Sequence, residues 1–471
     1  MPADKPNARR LASKTGRKKS VSKAGGPSLL MRTRTSEAAG VVQPVLPVKL
    51  GPGAVHYAQG VRAGRWLFAT GLMAQDFKTG VPESVTAPAF PLFDASPAQR
   101  EAAMIFDHLD KVLAAGGTSC ENIIRIDQFF TNIAAIAPYQ ATRRKRLGAI
   151  TPASTSMVME ALPLLNATML VDALAVIPAP DFQPRAVVKP DVIPVSGPSP
   201  SVIVGDFVFV SGQLATADPG AATRDGLPQE ACVPATAYWG GQAIQAETNY
   251  VLRRRISPAL ERAGSSVKNV VKAQVYLTHL EDLQTFRQVW IDYFGGELPA
   301  TTIVVAPKRS IGIAAARVEI NIIALRDGAV ARKEIIEYDV APAYAEFPAA
   351  VKAGDLLFLS GLMANDANGV ALDVKATANQ PLYGSSAQAQ ASVILEKAET
   401  ICAAAGTSLA NIVRAQHFLT DLSEFYGTHN ALRQRLGERA LPFSAVGVPG
   451  PMPIPGCSML MDLWFYAPGK S

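Results

Sequence analysis

Two aspartates stand alone in apolar segments, where a carboxyl group could do acid–base chemistry. Asp172 lies in the run TMLVDALAVI, and Asp462 lies in SMLMDLWFY. Burial among such residues desolvates a carboxylate and raises its pKa, which suits it to general acid–base catalysis. The structural alternative is an aspartate that accepts backbone hydrogen bonds at a sheet edge or an interface. We predict that both aspartates are catalytic.

A tyrosine near the start of the first third of the chain is the other catalytic candidate. Tyr57 stands in the sequence HYAQG, beside Gln59. Its phenol could donate a hydrogen bond to a substrate oxygen or nitrogen. Packing at an interface is an equally good interpretation. We predict Tyr57 as a catalytic residue and Gln59 as a substrate-binding residue.

Several other chemistries are excluded because their motifs are missing. The sequence contains no GxSxG, HExxH or Walker motif, and no GxGxxG following a strand. Its four cysteines show no CxxC or Cys/His ligand spacing, so we expect neither a disulfide framework nor a metal site. No uncharged apolar run reaches the ~18 residues of a membrane span. We therefore expect a cofactor-free chemistry and no membrane partner.

The candidate residues belong to a unit that occurs three times. Each third has a short apolar strand that ends in a Thr/Ser-Gly pair, followed further on by the spacing Gly-x4-Asn-x8-Thr. A proline follows 21 or 22 residues after each of these threonines. Three landmarks in one order indicate a tandem triplication. The threonines are Thr131, Thr278 and Thr420.

The pattern of each unit predicts its elements. Apolar β-branched runs bounded by glycines predict strands, for example at 64–70, 205–211 and 354–360. An amphipathic run such as 102–115, which stops at a glycine, predicts a helix. A second helix is predicted at 135–147, 281–294 and 422–436. The order ββ-α-β-α-ββ predicts an α+β fold with the helices on one face of each sheet.

The middle strand of each unit carries polar residues on its other face, because alternate residues point to opposite sides of a strand. Two matched rings result, formed by Arg125, Lys272 and Arg414 and by Asp127, Gln274 and Gln416. These rings either line a cavity or form salt bridges and amide hydrogen bonds between units, and the second interpretation is favoured. We therefore predict that the three sheets face one axis in an intramolecular pseudo-trimer.

The charge is unevenly distributed along the chain. Residues 1–40 carry ten of the 45 lysines and arginines but only two of the 39 acidic residues. We predict a disordered basic tail at 1–44, followed by domains at 45–183, 184–330 and 331–471. The tail is the only candidate for binding nucleic acid, which is not the expected partner. It lacks the apolar core of a secretory signal, so we predict a cytoplasmic location.

The second unit carries a family resemblance. GDFVFVSGQLA (205–215), NVVKAQVYLTHLEDLQTFRQVWIDYFGG (269–296) and LPATTIVV (298–305) resemble the RidA/YjgF family, and the other two units share its landmarks. The resemblance covers the chain from about residue 45 to its end. It implies a chorismate-mutase-like α+β fold and ligand sites in clefts between subunits. One chain would then supply all three subunits, and pairing into a higher oligomer stays open.

The resemblance also implies a chemistry, the hydrolysis of enamines and imines to keto acids and ammonia without a metal or organic cofactor. An arginine after Pro-Ala would clamp the substrate carboxylate, but its positions here are Ser154, Thr301 and Ser444. A carboxylate in the last strand would align with Asp172, Asn321 and Asp462. We predict that Ser154, Thr301, Asn321 and Ser444 bind the substrate.

The predicted function is therefore that of a cofactor-independent enamine or imine deaminase, whose small-molecule substrate differs from those of the arginine-bearing relatives. An aminomuconate-like product of ring cleavage, from a catabolic pathway, is one candidate. The alternative is a non-catalytic member of the family that binds a small molecule or acts like a chaperone. RNA binding through the basic tail is a weaker third hypothesis.

Overall fold

Each third of the chain folds into one sheet with helices, as the repeat predicts, but the sheet has six strands where the predicted order has five. The computed structural model describes residues 42–50, 55–87, 95–187, 199–216, 226–234, 242–337, 343–371, 374 and 386–469. Most of the predicted tail lies outside these residues, although strand β1 begins at Val42, within the segment 1–44. The sheets span residues 42–176, 185–326 and 333–466, and we call the corresponding parts of the chain repeats 1, 2 and 3.

The elements follow one another in nearly the same order in the three repeats. Repeat 1 contains β1 Val42–Leu50, β2 Val55–Ala63, β3 Trp66–Leu72, α1 Glu83–Thr86, α2 Pro97–Gly116, β4 Ile123–Phe130, α3 Ile136–Leu147, β5 Ala153–Val158 and β6 Met169–Val176. Repeat 2 contains β7 Arg185–Val187, β8 Ser201–Val204, β9 Phe207–Gln213, α4 Ala243–Tyr250, α5 Ser257–Arg262, β10 Ser265–Leu277, α6 Leu283–Phe294, β11 Ala300–Val305 and β12 Val318–Arg326. A π-helical stretch, Val251–Ile256, joins α4 to α5.

Repeat 3 repeats the pattern with one small addition. It contains β13 Lys333–Ile336, β14 Ala350–Ala353, β15 Leu356–Leu359, β16 Asn365–Asp366, β17 Gly369–Val370, α7 Ser386–Ala404, β18 Ile412–Leu419, α8 Phe425–Leu436, β19 Ser444–Gly447 and β20 Met459–Tyr466. The short strands β16 and β17 pair only with each other. The predicted strands and helices are confirmed, with end points that differ by a few residues.

Strand order is identical in the three sheets: β1-β2-β3-β6-β4-β5, β7-β8-β9-β12-β10-β11 and β13-β14-β15-β20-β18-β19. In each sheet the last two strands are parallel, because a helix crosses from one to the other, and the remaining neighbours are antiparallel. The last long strand of every repeat (β6, β12 or β20) therefore lies inside its sheet. This strand carries the carboxylates and the amide that the sequence singled out.

Helix α2 illustrates how the sequence sets these elements. The Ser96 hydroxyl accepts a hydrogen bond from the Gln99 amide N–H, and the Gln99 side chain accepts one from the Ser96 backbone N–H, which forms a capping box. The stripe of Ile105, Leu109 and Val112 is buried, as predicted. Gly117 ends the helix with φ of 85°, a left-handed conformation that favours glycine.

Aromatic residues from all three repeats share one buried cluster. The rings of Trp66 in repeat 1 and Phe207 in repeat 2 pack edge to face at 5.4 Å. Phe68 of repeat 1 packs against Trp464 of repeat 3 at 6.4 Å. Residues 40–471 thus form one compact unit, whereas the pseudo-threefold axis itself stays a prediction. Within the described residues, no helix is both long enough and apolar enough to cross a membrane.

Candidate functional site

Each repeat contacts both of the others along a seam between two strands. At seam A, the Ser154 N–H on β5 donates to the Ser211 hydroxyl on β9 at 2.9 Å. At seam B, the Thr301 N–H on β11 donates to the Ser360 hydroxyl, just after β15, at 3.0 Å. At seam C, repeat 3 meets repeat 1, where the Ala58 N–H donates to the Leu441 carbonyl at 3.0 Å. These seams are where the resemblance would place ligand sites.

Seam C brings together three of the predicted residues. The Gly71 N–H donates to Asp172 at 2.7 Å, and the nearby Ser444 side chain lowers the pKa of Asp172. The Tyr57 hydroxyl donates to the carbonyl of Thr70, the residue before Gly71. Its ring packs against Phe443 at 4.8 Å. Tyr57 is fully buried, so the structure gives its hydroxyl a backbone partner within the fold.

Asp172 also belongs to the centre of the molecule. Burial, partly offset by Arg414, raises its pKa to about 6, which agrees with the raised pKa expected from the sequence. The Gln416 amide of repeat 3 donates to it at 3.3 Å. Together with Asp127 and two arginines, Asp172 lines a cavity of about 20 Å³. Such a volume holds a single water molecule and no substrate.

For Asp462, the expected pKa shift is wrong. Burial opposes its charge, but Lys272 of repeat 2 and Arg414 hold the pKa of Asp462 below its ordinary value. Lys272 Nζ donates to one carboxylate oxygen at 2.6 Å, and Arg414 Nη1 donates to the other at 3.0 Å. The apolar neighbours along the strand suggested an uncharged acid, whereas distant residues supply two cations. Asp462 is an ion-pair partner between repeats 2 and 3.

The two polar rings follow the favoured structural interpretation. Arg414 Nη2 of repeat 3 donates to Asp127 of repeat 1 at 3.1 Å, and Arg125 pairs with the same carboxylate at 3.0 Å. The Gln274 amide of repeat 2 donates to Gln416 of repeat 3 at 2.6 Å. We call Arg125, Asp127, Asp172, Lys272, Arg414 and Asp462 the central network. With Asp172 ionised, it holds three cations and three anions.

Two further predicted residues have local partners. The Thr301 hydroxyl donates to the Pro299 carbonyl at 2.9 Å, within its own strand segment. The Gln59 amide donates to the Leu46 carbonyl at 3.2 Å, across the first strands of repeat 1. The equivalent of Tyr57 in repeat 2, Pro198, lies outside the described residues. Neither Thr301 nor Gln59 is thereby joined to the other predicted residues.

Seam A joins Ser154 and Asn321, which the sequence predicted separately. Asn321 Nδ2 of repeat 2 donates to the Thr155 hydroxyl of repeat 1 at 3.2 Å. Gln128 Nε2 donates to the Ser154 hydroxyl at 3.1 Å, and the Ser156 hydroxyl donates to Gln128 Oε1 at 2.7 Å. Seam A is therefore lined by hydroxyl and amide groups.

Glu319 at seam A was missed in the sequence. It is 4% exposed, and no described residue donates a hydrogen bond to its carboxyl group. Burial, with a smaller contribution from Asp127, raises its pKa to about 8, so the group is protonated at neutral pH. A β-carbon added at Gly212 would clash with Glu319 Oε1 and lie 3.2 Å from the Thr155 hydroxyl oxygen. Seam A thus holds an uncharged acid beside hydroxyl groups.

Strand alternation could have found this residue. Glu319 precedes Asn321 by two positions in RVEINII, so both point to the same face of β12. Strand pairing aligns Glu319 with Leu170 of repeat 1 and Leu460 of repeat 3. Only repeat 2 carries an acid at this position.

Among the described residues, no group of three or more His, Cys, Asp or Glu side chains is placed to hold a metal ion.

Comparison with known proteins supplies relatives for all three repeats. The family model described as Endoribonuclease L-PSP matches residues 50–177, 192–326 and 338–452. A RutC family protein of Pyrococcus abyssi is 32% identical over 111 residues, which cover 24% of this chain and 74% of that protein. A Rattus norvegicus protein named 2-iminobutanoate/2-iminopropanoate deaminase is 30% identical over 131 residues, which cover 27% of this chain and 79% of that protein.

The chain is also similar to part of a solved structure, that of yeast Mmf1. Yeast Mmf1 is 20% identical, with a TM-score of 0.23, over 29% of this chain and 98% of that chain. One relative is named as a deaminase, whereas the family model is described as an endoribonuclease. Because the family model matches three times and over most of the sequence, the chain belongs to the RidA/YjgF family, as three tandem copies of its fold.

Proposed function

We propose that the chain hydrolyses an imine or enamine to a carbonyl compound and ammonia, and that seam A is its active site. The observation that carries this proposal is Glu319, a buried carboxylic acid with a pKa of about 8 and no hydrogen-bond donor among the described residues. The family supports it, since one relative is named 2-iminobutanoate/2-iminopropanoate deaminase. Neutral carboxylic acids at this pH are suited to proton donation.

The chemistry needs two protons to be delivered to the nitrogen and two to be removed from the attacking water. Glu319 donates its proton to the nitrogen of the C=N bond, which makes the carbon electrophilic. Water adds to that carbon, and the Glu319 carboxylate accepts the proton that the water loses. The same group then returns a proton to the nitrogen and the C–N bond breaks. Ammonia leaves as the carbonyl forms, and the Glu319 carboxylate takes up the proton that the hydroxyl group of the adduct loses. Water is the only co-reactant, and Glu319 ends the cycle protonated.

The neighbouring polar groups of seam A suit this sequence of steps. Asn321 and Thr155 lie on the same side as the Glu319 carboxyl group, where they can orient water or the nitrogen. Glu319 packs against Gly212 of its own repeat, which holds the carboxyl group near the Thr155 hydroxyl of repeat 1. Seams B and C carry Leu460 and Leu170 at the Glu319 position, so neither offers the same acid.

Seam C is the second candidate location for the same chemistry. Asp172 has a pKa of about 6 and lies near Ser444. The Tyr57 hydroxyl donates to the neighbouring backbone carbonyl of Thr70. Its carboxylate is already engaged by Gly71 and Gln416, and it balances the charge of the central network. Glu319 has no such partners among the described residues, which favours seam A.

The test is ammonia release from a panel of imines and enamines, measured above the spontaneous rate. The panel includes 2-iminobutanoate, formed in the assay from the amino acid by an oxidase, and an aminomuconate. Glu319→Gln is expected to lower kcat about 10²- to 10⁴-fold. Glu247→Gln is the matched control, because Glu247 is also a buried acid of repeat 2 with a raised pKa, but it lies on α4 and accepts hydrogen bonds from the backbone N–H groups of Arg317 and Val318.

Three results would contradict the proposal. A wild-type rate in Glu319→Gln would show that Glu319 does not move the proton. Loss of activity in Asp172→Asn alone, with Glu319→Gln unaffected, would place the site at seam C instead. Ligand-dependent thermal stabilisation without any ammonia from the whole panel would favour the non-catalytic binding protein.

A further inference from the structure

The cavity of the central network has a wall that lacks a hydrogen-bond acceptor. Arg125, Asp127, Asp172 and Arg414 supply the charged part of the wall of this cavity, whose volume is about 20 Å³. Arg125 is 4% exposed, and its Nη2 has no hydrogen-bond partner among the described residues. A guanidinium nitrogen can only donate. The occupant of the cavity therefore has to accept a hydrogen bond.

The carboxylate oxygens around the cavity already have donors. Arg125 Nε donates to both oxygens of Asp127 at 3.0 Å, and Arg414 Nη2 donates to one of them at 3.1 Å. Gly71 donates to Oδ1 of Asp172, and Gln416 donates to Oδ2. All four oxygens are thus engaged, whereas one guanidinium nitrogen is left without an acceptor.

The rest of the wall is mainly apolar, and the cavity is small. Phe68, Leu174 and Trp464 line it, and the Arg414 guanidinium lies 4.5 Å from the centre of the Trp464 ring. A buried water typically needs about three polar partners, whereas a halide ion needs only donors and packs well against apolar groups. The volume suits one water-sized particle, so chloride fits, while phosphate, sulfate and carboxylates are too large.

The charge of the central network decides when an anion is stabilised there. With Asp172 ionised, three cations balance three anions, and an added anion would leave an excess negative charge in the interior. With Asp172 protonated, the network has one excess positive charge, which an anion would balance. The protonated carboxyl group can also donate a hydrogen bond. Burial raises the pKa of Asp172 to about 6, so mildly acidic solution protonates it.

The groups that face Asp172 come from several strands. Arg414 on β18 favours its charged form, and Asp127 on β4 opposes it. The phenols of Tyr57 on β2 and Tyr276 on β10 stay neutral, because burial raises the pKa of each well above its ordinary value. Glu319 on β12 has a pKa of about 8, so its ionisation at higher pH adds negative charge and further opposes an anion. The remaining charged members of the network are Arg125, Lys272 and Asp462.

We propose that the cavity of the central network is a chloride site that fills when Asp172 is protonated, with Arg125 Nη2 as a donor to the ion. Chloride binding is then linked to the uptake of one proton. The inference goes beyond the proposed function and does not depend on it, because the ion and the groups that hold it take no part in the steps at seam A.

The test compares the thermal stability of the full chain in sodium chloride and in sodium gluconate of equal ionic strength, because gluconate is too large for the cavity. Asp172 is protonated in about nine tenths of the molecules at pH 5 and in about one hundredth at pH 8, so chloride should bind about 90-fold more tightly at pH 5. A ligand that binds only the folded state raises its stability. The melting temperature should therefore rise with chloride concentration at pH 5 and hardly change at pH 8.

Two variants change the charge of the network in opposite ways. Asp172→Asn introduces the residue that repeat 2 carries at this position, Asn321, and makes the excess positive charge permanent. Chloride should then stabilise this variant at pH 8 as well as at pH 5. Arg125→Met removes both the donor and the excess charge at pH 5, so it should lose the chloride response. Arg254→Met, which removes an exposed arginine, is the matched control and should keep the wild-type response.

Several outcomes would overturn the inference. One is a chloride response of the wild-type protein that is absent at pH 5 or equal at pH 5 and pH 8. Retention of the response in Arg125→Met, or its absence from Asp172→Asn at pH 8, would do the same. If Arg125→Met does not fold, the comparison of Asp172→Asn with the wild type at pH 8 decides. None of these measurements uses ammonia release, so their failure would leave the proposed function untouched.

Discussion

The central network should stabilise the joint between repeats 2 and 3 through the Lys272–Asp462 pair. Both side chains are almost completely buried, and Nζ lies 2.6 Å from the carboxylate oxygen. Lys272→Met removes a cation that also donates to the Thr302 hydroxyl and the Leu359 carbonyl. Asp462→Asn removes the anion that Lys272 and Arg414 share. Either change leaves one unbalanced charge in the interior.

The size of the effect follows from the geometry. At 2.6 Å and an effective dielectric constant of about 20, the Coulomb attraction is about 6 kcal/mol before the cost of desolvation. Breaking a buried pair by removing one partner costs about 3 to 5 kcal/mol. Removing both partners restores the charge balance of the central network. The double variant is therefore expected to lose about 2 kcal/mol less than the sum of the two single variants.

Urea unfolding of the two single variants and the double variant measures this coupling. The control is the surface pair of Arg254 and Glu230, whose side chains are 60% and 57% exposed and whose distance is 2.9 Å. Arg254→Met should change the free energy of unfolding by less than about 1 kcal/mol. Losses below 1 kcal/mol for Lys272→Met, or strict additivity in the double variant, would refute the reasoning.

Two other predictions concern buried acids of repeat 2. Burial raises the folded-state pKa of Glu247 from 4.5 to about 7, so about 3 kcal/mol of stability should be lost as pH rises through that range. Glu247→Gln introduces the residue that repeat 3 carries at this position, Gln390. This variant should lose less stability than the wild type across the same pH range in thermal melts. An equal pH dependence of stability in the two proteins would argue against the prediction. Gly212→Ala should displace the Glu319 carboxyl group and so lower ammonia release at least tenfold. The same change should lower the free energy of unfolding by only about 1 kcal/mol. Unchanged turnover in that variant would count against the position of Glu319.

The repeated landmarks made the fold predictable. Glycines, β-branched runs and threonines recur in one order. The β-branched runs mark strands, and the glycines and threonines mark where elements end, so strands and helices could be placed locally. The stripe of Ile105, Leu109 and Val112 indicated the buried face of α2 in the same way. The polar rings of the middle strands also indicated an interior between repeats, because alternation along a strand is a local property.

The electrostatics of the site could not be read from the chain in this way. Asp462 has apolar neighbours in sequence, but Lys272 is 190 residues away and decides its charge state. Arg143 stands in the basic run TRRKR, where it resembles its exposed neighbour Arg144. Its burial follows from its contact with Ser154, after the fold has formed. Glu319 was passed over because the acid was sought two positions later, at Asn321.

The most direct test of a hydrolytic site at seam A is the pH dependence of ammonia release by the wild-type chain. Glu319 must carry its proton to activate the C=N bond, and burial raises its pKa to about 8. The rate should therefore hold as pH rises through 7 and fall as pH passes 8, and Glu319→Gln should lack this fall. A rate that falls near pH 6, where Asp172 titrates, or that stays constant through pH 9 would contradict the account.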